Sequence, residues 1–470
     1  MFKCRLPWCL IFLLILTAVV RGGLLVAAPQ SLLGDPDRYY ALANNLRTYG
    51  VFGEKEEPTA FRPPLYPFAL RQMFRLADMQ MEDSGTASSS SILTSTHGCG
   101  LTSRGCIAFF HTLLGLLTVF LVVRTGMLLG LTRTGSLAAG LLVAVDPILL
   151  AQSRVVMTET LATFLAILIW WILAHVSLAE RERSRYALTA VTGLLTGVAT
   201  LCRPAFLGWA GLVALALLLT RRGRAFSPGQ CVTFLLGLTL VILPWTVRNF
   251  IYFNRVIPTT THDGYTLLLA NNDYLYDWYE EHAPWEKAWD PTAFHAWWSD
   301  ACATRMAEAG IKPGSRNAEL FQNDLAREES LKVIRNRPCD FVKSMAIRFG
   351  TLVQCLPYNT VESGSESTMR CASRVGVAVF YLMEFTLVVF GTAAIARRFR
   401  TTSAGQRPAY RLWLWGGLLI LSVVVPHLFF WTNMRMRSVL MVAIAIVAAA
   451  SFGLRPSECL PKEDALELKE

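Results

Sequence analysis

The sequence predicts an all-α polytopic membrane protein of about ten transmembrane helices, with a helical first outer loop and a second, larger helical outer loop. Three observations carry this. Hydrophobic residues make up 53% of the chain against 17% charged, a balance far from that of a soluble chain of this length. Apolar runs of near-spanning length recur from one end to the other. Arginines, finally, collect in alternate connections between closely spaced runs, as short cytoplasmic loops require.

The apolar runs cover residues 6–28, 105–123, 134–150, 159–178, 187–201, 205–220, 230–246, 374–396, 412–430 and 438–453, and a bilayer asks for ~20 such residues per helix. They divide the chain into a first anchor (1–28), a first outer loop (29–104), helices two to seven (105–253), a large outer loop (254–373), helices eight to ten (374–453) and a cytoplasmic tail (454–470). With the N-terminus inside, Arg124 and Arg133, Arg181 to Arg185, Arg221 to Arg224, and Arg397 to Arg411 all fall in the cytoplasm. The net charge of +10 is then mostly a topology signal, and binding to nucleic acid is not needed to explain it.

In the first outer loop, Asp35-Pro36-Asp37-Arg38-Tyr39 reads as a helix start, with Asp35 as cap, Pro36 at the first position and Gly50 after the last turn. On that reading Asp35, Arg38 and Tyr39 share one face. A stiff turn follows, Phe61-Arg62-Pro63-Pro64-Leu65-Tyr66-Pro67, then an amphipathic stretch ending near Arg75, while residues 82–103, rich in Ser, Thr and Gly, read as a mobile insertion. Glu159 stands at the lip of the fourth apolar run. Cys202-Arg203-Pro204 breaks a hairpin, Pro244-Trp245-Thr246-Val247-Arg248-Asn249 ends the seventh run, and Arg435 and Arg437 sit in the last outer turn. The large loop is rich in tryptophan and reads as helical; its His262, His282 and His295 have no base-orienting partner legible in sequence. The eleven cysteines show no Cys-x-x-Cys or Cys/His metal spacing. Cys99, Cys106, Cys302, Cys339, Cys355 and Cys371 lie where oxidising conditions could pair some of them, or are small hydrophobes.

In order and placement these motifs resemble the GT-C superfamily of membrane glycosyltransferases, which includes protein O-mannosyltransferases and lipid A aminoarabinose transferases. Asp35-x-x-Arg38-Tyr39 is similar to the family's first-loop acid motif, Phe61 to Pro67 to the proline motif after it, Glu159 to a second acid, and Leu243-Pro244-Trp245-x-x-Arg248-Asn249 to a segment after the seventh span. The likeness is strongest to the bacterial branch that uses polyprenyl-phosphate sugars. It requires the first helix, so a retained anchor is favoured over the cleaved signal peptide that Lys3, Arg5 and Ala27-Ala28 also fit. Two features depart from it. The first acid is not doubled but spaced as Asp35-Pro36-Asp37, leaving the base between those two open, and Trp297-Trp298-Ser299-Asp300 is not the Trp-Trp-Asp-Tyr-Gly of oligosaccharyltransferases.

The resemblance implies transfer of a single sugar from a polyprenyl-phosphate donor to a lipid, glycan or protein acceptor, with inversion, outside a bacterial inner membrane. Asp35, or else Asp37, would take the acceptor's proton. Glu159 would orient the acceptor or share Mg²⁺ or Mn²⁺ with Asp35, and Arg38, Tyr39, Arg62, Tyr66, Arg203, Arg248, Arg435 and Arg437 would bind substrate. Bland readings stand beside these: Asp35 as a cap worth ~1 kcal/mol, Asp37 as a dipole-complementing residue, the arginines as interface anchors. Outside the enzyme class, a transporter would place charges near the bilayer midplane and repeat its pattern in two halves, and neither sign is legible; a non-enzymatic scaffold stays open if Asp35 only caps.

Overall fold

The computed structural model describes residues 5–27, 29–83, 103–219, 226–282, 288–357, 368–401 and 408–455. The protein is an all-α polytopic membrane fold. Among the described residues eight helices are long and apolar enough to cross a bilayer, and the shorter Arg133–Val145 and Phe206–Leu219 make up the other two of the ten expected runs. In chain order the helices are α1 (Arg5–Ala27), α2 (Tyr39–Thr48), α3 (Leu65–Asp83), α4 (Ser103–Leu128), α5 (Arg133–Val145), α6 (Pro147–Gln152), α7 (Glu159–Leu178), α8 (Glu182–Cys202), α9 (Phe206–Leu219), α10 (Pro228–Phe253), α11 (Asp263–Ala270), α12 (Asp273–Glu281), α13 (Thr292–Glu308), α14 (Arg316–Asn336), α15 (Pro338–Val353), α16 (Thr368–Thr401), α17 (Pro408–Phe429) and α18 (Met441–Ala449). Two-residue strands, β1 (Gly53–Glu54) and β2 (Glu57–Pro58), pair in the first loop.

Three boundaries differ from expectation, each for a local reason. The run 134–150 breaks at Asp146, because Pro147 disfavours helical backbone before it, and the Asp146 carboxylate caps α6 by accepting the Leu149 N–H at 2.7 Å. Pro244 does not end the seventh span: α10 runs through it to Phe253. The last turns survive the lost ladder bond because Trp245 Nε1–H donates to Thr259 O at 2.8 Å and Asn249 Nδ2–H to Ile257 O at 2.9 Å, binding the helix end to the chain beyond it. In the first loop α2 begins at Tyr39, with Arg38 left-handed at φ 60, so Asp35, Arg38 and Tyr39 do not share a helical face.

Small residues let the spans approach. Gly193 of α8 lies so close to Phe234 of α10 that a Cβ would collide with the Phe234 carbonyl, the backbone approach by which membrane helices pack without a hydrophobic drive. The two long loops meet each other at one end of this bundle. Cys106, Cys302, Cys339, Cys355 and Cys371 are free thiols; Cys99 and residues 84–102 of the expected insertion 82–103 lie outside the described residues, while its first two positions end α3 and its last begins α4.

Candidate functional site

Asp35 caps α2 from a distance. Its Oδ1 accepts the Tyr40 N–H at 3.1 Å and its Oδ2 the Ala41 N–H at 2.9 Å. This fixes the carboxylate while leaving a lone pair free on each oxygen. Asp37 turns the other way and accepts a 2.8 Å hydrogen bond from Arg62 Nη2. Arg62 also reaches His262 Nε2 at 3.3 Å and lies 6.0 Å from the Tyr39 ring. Burial, and then the Arg62 charge, pushes the His262 pKa down to about 3, so the neutral ring offers Nε2 as an acceptor. His262 is thus a site neighbour that its sequence context did not reveal. Arg38 leaves the site and pairs with Glu54 at 3.1 Å on the exposed surface.

Tyr39 packs edge-on against Tyr66, with ring centres 5.5 Å apart. Tyr66 Oη lies 2.8 Å from His111 Nε2, and His111 Nδ1 lies 2.9 Å from Ser153 O. Because a carbonyl only accepts, Nδ1 carries the proton and Nε2 accepts from the tyrosine. Burial raises the pKa of both tyrosines, and the nearby Glu159 charge adds to the effect. Both keep their protons and cannot act as bases; the Tyr39 hydroxyl can donate to a substrate, whereas that of Tyr66 is given to His111.

Glu159, fully buried in the first turn of α7, lies where the positive end of the helix favours a carboxylate. Arg435 Nε approaches it at 3.2 Å and Arg203 Nη1 at 3.5 Å. Arg203 is delivered by the extended residue between α8 and α9, ahead of Pro204, and Arg435 by the one-sided turn at Met434–Leu440, which Asn433 caps. Arg203 Nη2 otherwise touches only the Met436 sulfur at 3.3 Å, and the Arg435 guanidinium meets no other acceptor among the described residues. Two guanidiniums face Glu159, and no cluster of three potential metal ligands occurs among the described residues.

The other two arginines are engaged elsewhere. Arg248 donates to Thr59 O at 2.8 Å, Phe52 O at 3.0 Å and Asn249 Oδ1 at 2.9 Å, with its guanidinium 4.7 Å from the Trp245 ring. Arg437 is buried, donates to Leu352 O at 3.0 Å and Gln354 O at 2.6 Å, and lies 4.1 Å over the Tyr381 ring. Around it the spans conceal Asp146, Glu384 and, on α1, Arg21, all buried. Buried charge therefore lies among the helices where the sequence did not reveal it, because single charged residues inside long apolar runs are invisible to their mean hydropathy.

The fold and these contacts define a polytopic membrane protein with a carboxylate and arginine site where spanning helices meet their long loops. Residues 98–256 match the family model for dolichyl-phosphate-mannose-protein mannosyltransferase, which bears out the resemblance to membrane glycosyltransferases drawn from the motifs. No curated protein matches the chain. Among solved structures, the oligosaccharyltransferase AglB of Archaeoglobus fulgidus, in complex with an inhibitory peptide and a dolichol-phosphate, aligns over 96% of this chain and 50% of its own at 12% identity and TM-score 0.49. ArnT of Cupriavidus metallidurans, bound to undecaprenyl phosphate, aligns over 96% of this chain and 78% of its own at 13% identity and TM-score 0.39. The chain spans about half the length of the archaeal protein, and likenesses this distant decide nothing about chemistry.

Proposed function

We propose that the chain is an integral membrane glycosyltransferase that moves a single sugar from a polyprenyl-phosphate donor to a lipid, glycan or protein acceptor, with inversion, at the outer face of a bacterial cell membrane. The observation that carries this reading is the pair Arg203 and Arg435, held by buried Glu159 with N–H groups to spare. Glu159 begins one spanning helix and Arg203 follows another, which supports a place for the pair at headgroup height, where a lipid phosphate sits.

In this scheme the acceptor hydroxyl attacks the anomeric carbon as the Asp35 carboxylate takes its proton. The bond from that carbon to the phosphate oxygen breaks, and polyprenyl phosphate leaves with the electron pair. Arg203 and Arg435 meet the charge that grows on it, planar donors with permanent charge being suited to this. Asp37 is the less available carboxylate, because Arg62 already holds it. Glu159 sets the two guanidiniums in place rather than handling protons. Incubating the purified protein with radiolabelled polyprenyl-phosphate hexoses tests the reading: sugar transfer or donor hydrolysis supports it, and neither reaction with a panel of donors would overturn it. A transporter is the second reading, favoured by the buried set Asp146, Glu384 and Arg437; it gains if donor chemistry is absent.

A further inference from the structure

The first loop's site residues and the large loop are more than 190 positions apart, yet Glu319, in the first turn of α14, joins them. Its Oε1 accepts the Ala60 N–H at 3.0 Å and also the Thr261 hydroxyl, and its Oε2 accepts the Thr59 hydroxyl at 2.6 Å. Around this carboxylate the Thr261 N–H donates to Ala60 O at 3.0 Å, and the Phe61 N–H to Thr59 Oγ1 at 3.0 Å. Arg248 holds the same turn from below through Thr59 O. Thr59 and Ala60 are thereby tied to the large loop and to α10, while the Thr59 N–H stays within the first loop, donating to Phe52 O at 3.0 Å.

The next residue in each loop belongs to the site. Arg62 follows this turn and His262 follows Thr261, and the two touch at 3.3 Å, with the Phe61 ring 4.3 Å from the imidazole. Arg62 carries the contact on to Asp37. A carboxylate that accepts three bonds from two loops costs little to hold and much to lose, since removing it orphans three donors in a half-buried place.

We propose that Glu319 is a positioning residue of the site: by clasping residues 59–61 to Thr261 it locks Arg62 between Asp37 and His262, so that the large loop completes the site around Asp35. The inference deepens the transferase reading and rests on it only for its kinetic arm.

The test compares the full-length wild type with Glu319→Gln and Thr261→Val in detergent, with Asp324→Asn as control. Asp324 lies on the same helix but serves the surface pairs to Arg255 and Arg327. Two readouts need no activity: hydrogen exchange over residues 59–63 and 260–266, and modification of Arg62 by phenylglyoxal, followed by mass spectrometry. In Glu319→Gln both segments should exchange about tenfold faster, and Arg62 should react several-fold faster. Thr261→Val, which removes one hydroxyl and keeps the shape, should show a smaller change in the same direction, and Asp324→Asn none. Per folded molecule, Glu319→Gln should lose about tenfold or more in transfer rate, as misplaced groups do, with donor Kd within about twofold.

Unchanged exchange and unchanged Arg62 reactivity would overturn the clasp. Faster exchange with wild-type transfer would overturn its positioning role, and a parallel loss of donor affinity and thermal stability would mark Glu319 as merely structural. A wild type that transfers no sugar sinks the transferase reading and leaves exchange and Arg62 reactivity to decide the clasp.

Discussion

Arg203 and Arg435 at the Glu159 site, and Arg248 and Arg348 at the junctions of the large loop, are all arginines at the ends of helices, yet their surroundings separate them. Arg348 donates to Leu428 O at 2.8 Å, Ala270 O at 2.6 Å, Asn271 Oδ1 at 3.2 Å and Ser344 Oγ at 2.8 Å, and Arg248 to the carbonyls of Phe52 and Thr59. Their donors end on backbone carbonyls and neutral side chains, which the chain itself supplies. Arg203 and Arg435 end on one buried carboxylate that cannot saturate them. The difference teaches that an interfacial arginine is read by its acceptors: carbonyls mark a strut, and a shared carboxylate with N–H groups to spare marks a place for an anion.

The largest effect expected of any single change is at the proposed base. Asp35→Asn keeps one oxygen for the end of α2 but cannot take a proton, so turnover should fall by ~10² to 10⁴ for a stability cost of ~1 kcal/mol. Asp37→Asn should retain most activity; the reverse pattern would move the base by two residues. Next comes Glu159→Gln, which leaves two guanidiniums with a neutral neighbour in a buried place. Breaking a buried pair in this way costs ~3 to 5 kcal/mol, read as a fall in thermal midpoint in detergent. A midpoint equal to wild type would mean that Glu159 does not hold the arginines.

The comparison itself is sharpened by donor binding. Arg203→Ala and Arg435→Ala should each weaken polyprenyl-phosphate affinity by ~1 to 3 kcal/mol. Arg248→Ala should leave it unchanged while lowering stability, and so should a change at Arg437, whose buried Nη1 ends on two carbonyls. Equal losses at all four positions would erase the distinction between strut and site.

Eight spanning helices were legible because each is a long apolar run, and a run of that kind has few structures open to it in lipid, while the runs 134–150 and 205–220 hold shorter helices. The acids and arginines of the site were legible as a set only through their order along the chain. What stayed hidden depends on contacts between distant segments. Arg38 reads as a neighbour of Asp35 until a left-handed backbone turns it to Glu54. Pro244 reads as a helix end until tethers from Trp245 and Asn249 carry α10 past it. His262 and Glu319 carry no local pattern at all, since their first-loop partners, Arg62 for one and Thr59 and Ala60 for the other, lie more than 190 residues away.

The smallest effect concerns His262, in the contact that the two loops share. Burial and Arg62 push the folded pKa down to about 3, whereas an unfolded histidine titrates near ~6.5. Between those values the unfolded chain binds a proton that the folded chain refuses, so this residue's contribution to stability is present above pH ~6.5 and is lost progressively as pH falls toward 3. A protonated ring would also present a charge to Arg62 in place of the Nε2 lone pair that now faces it. His262→Asn keeps an acceptor for Arg62 and removes the titration. Wild type and variant should therefore show the same pH dependence of thermal midpoint above pH ~7, and the wild type should fall more steeply below ~6, by up to ~1.4 kcal/mol per pH unit. Parallel curves down to pH ~4.5 would mean that the ring accepts its proton in the folded state, and that the contact with Arg62 is not what keeps it neutral.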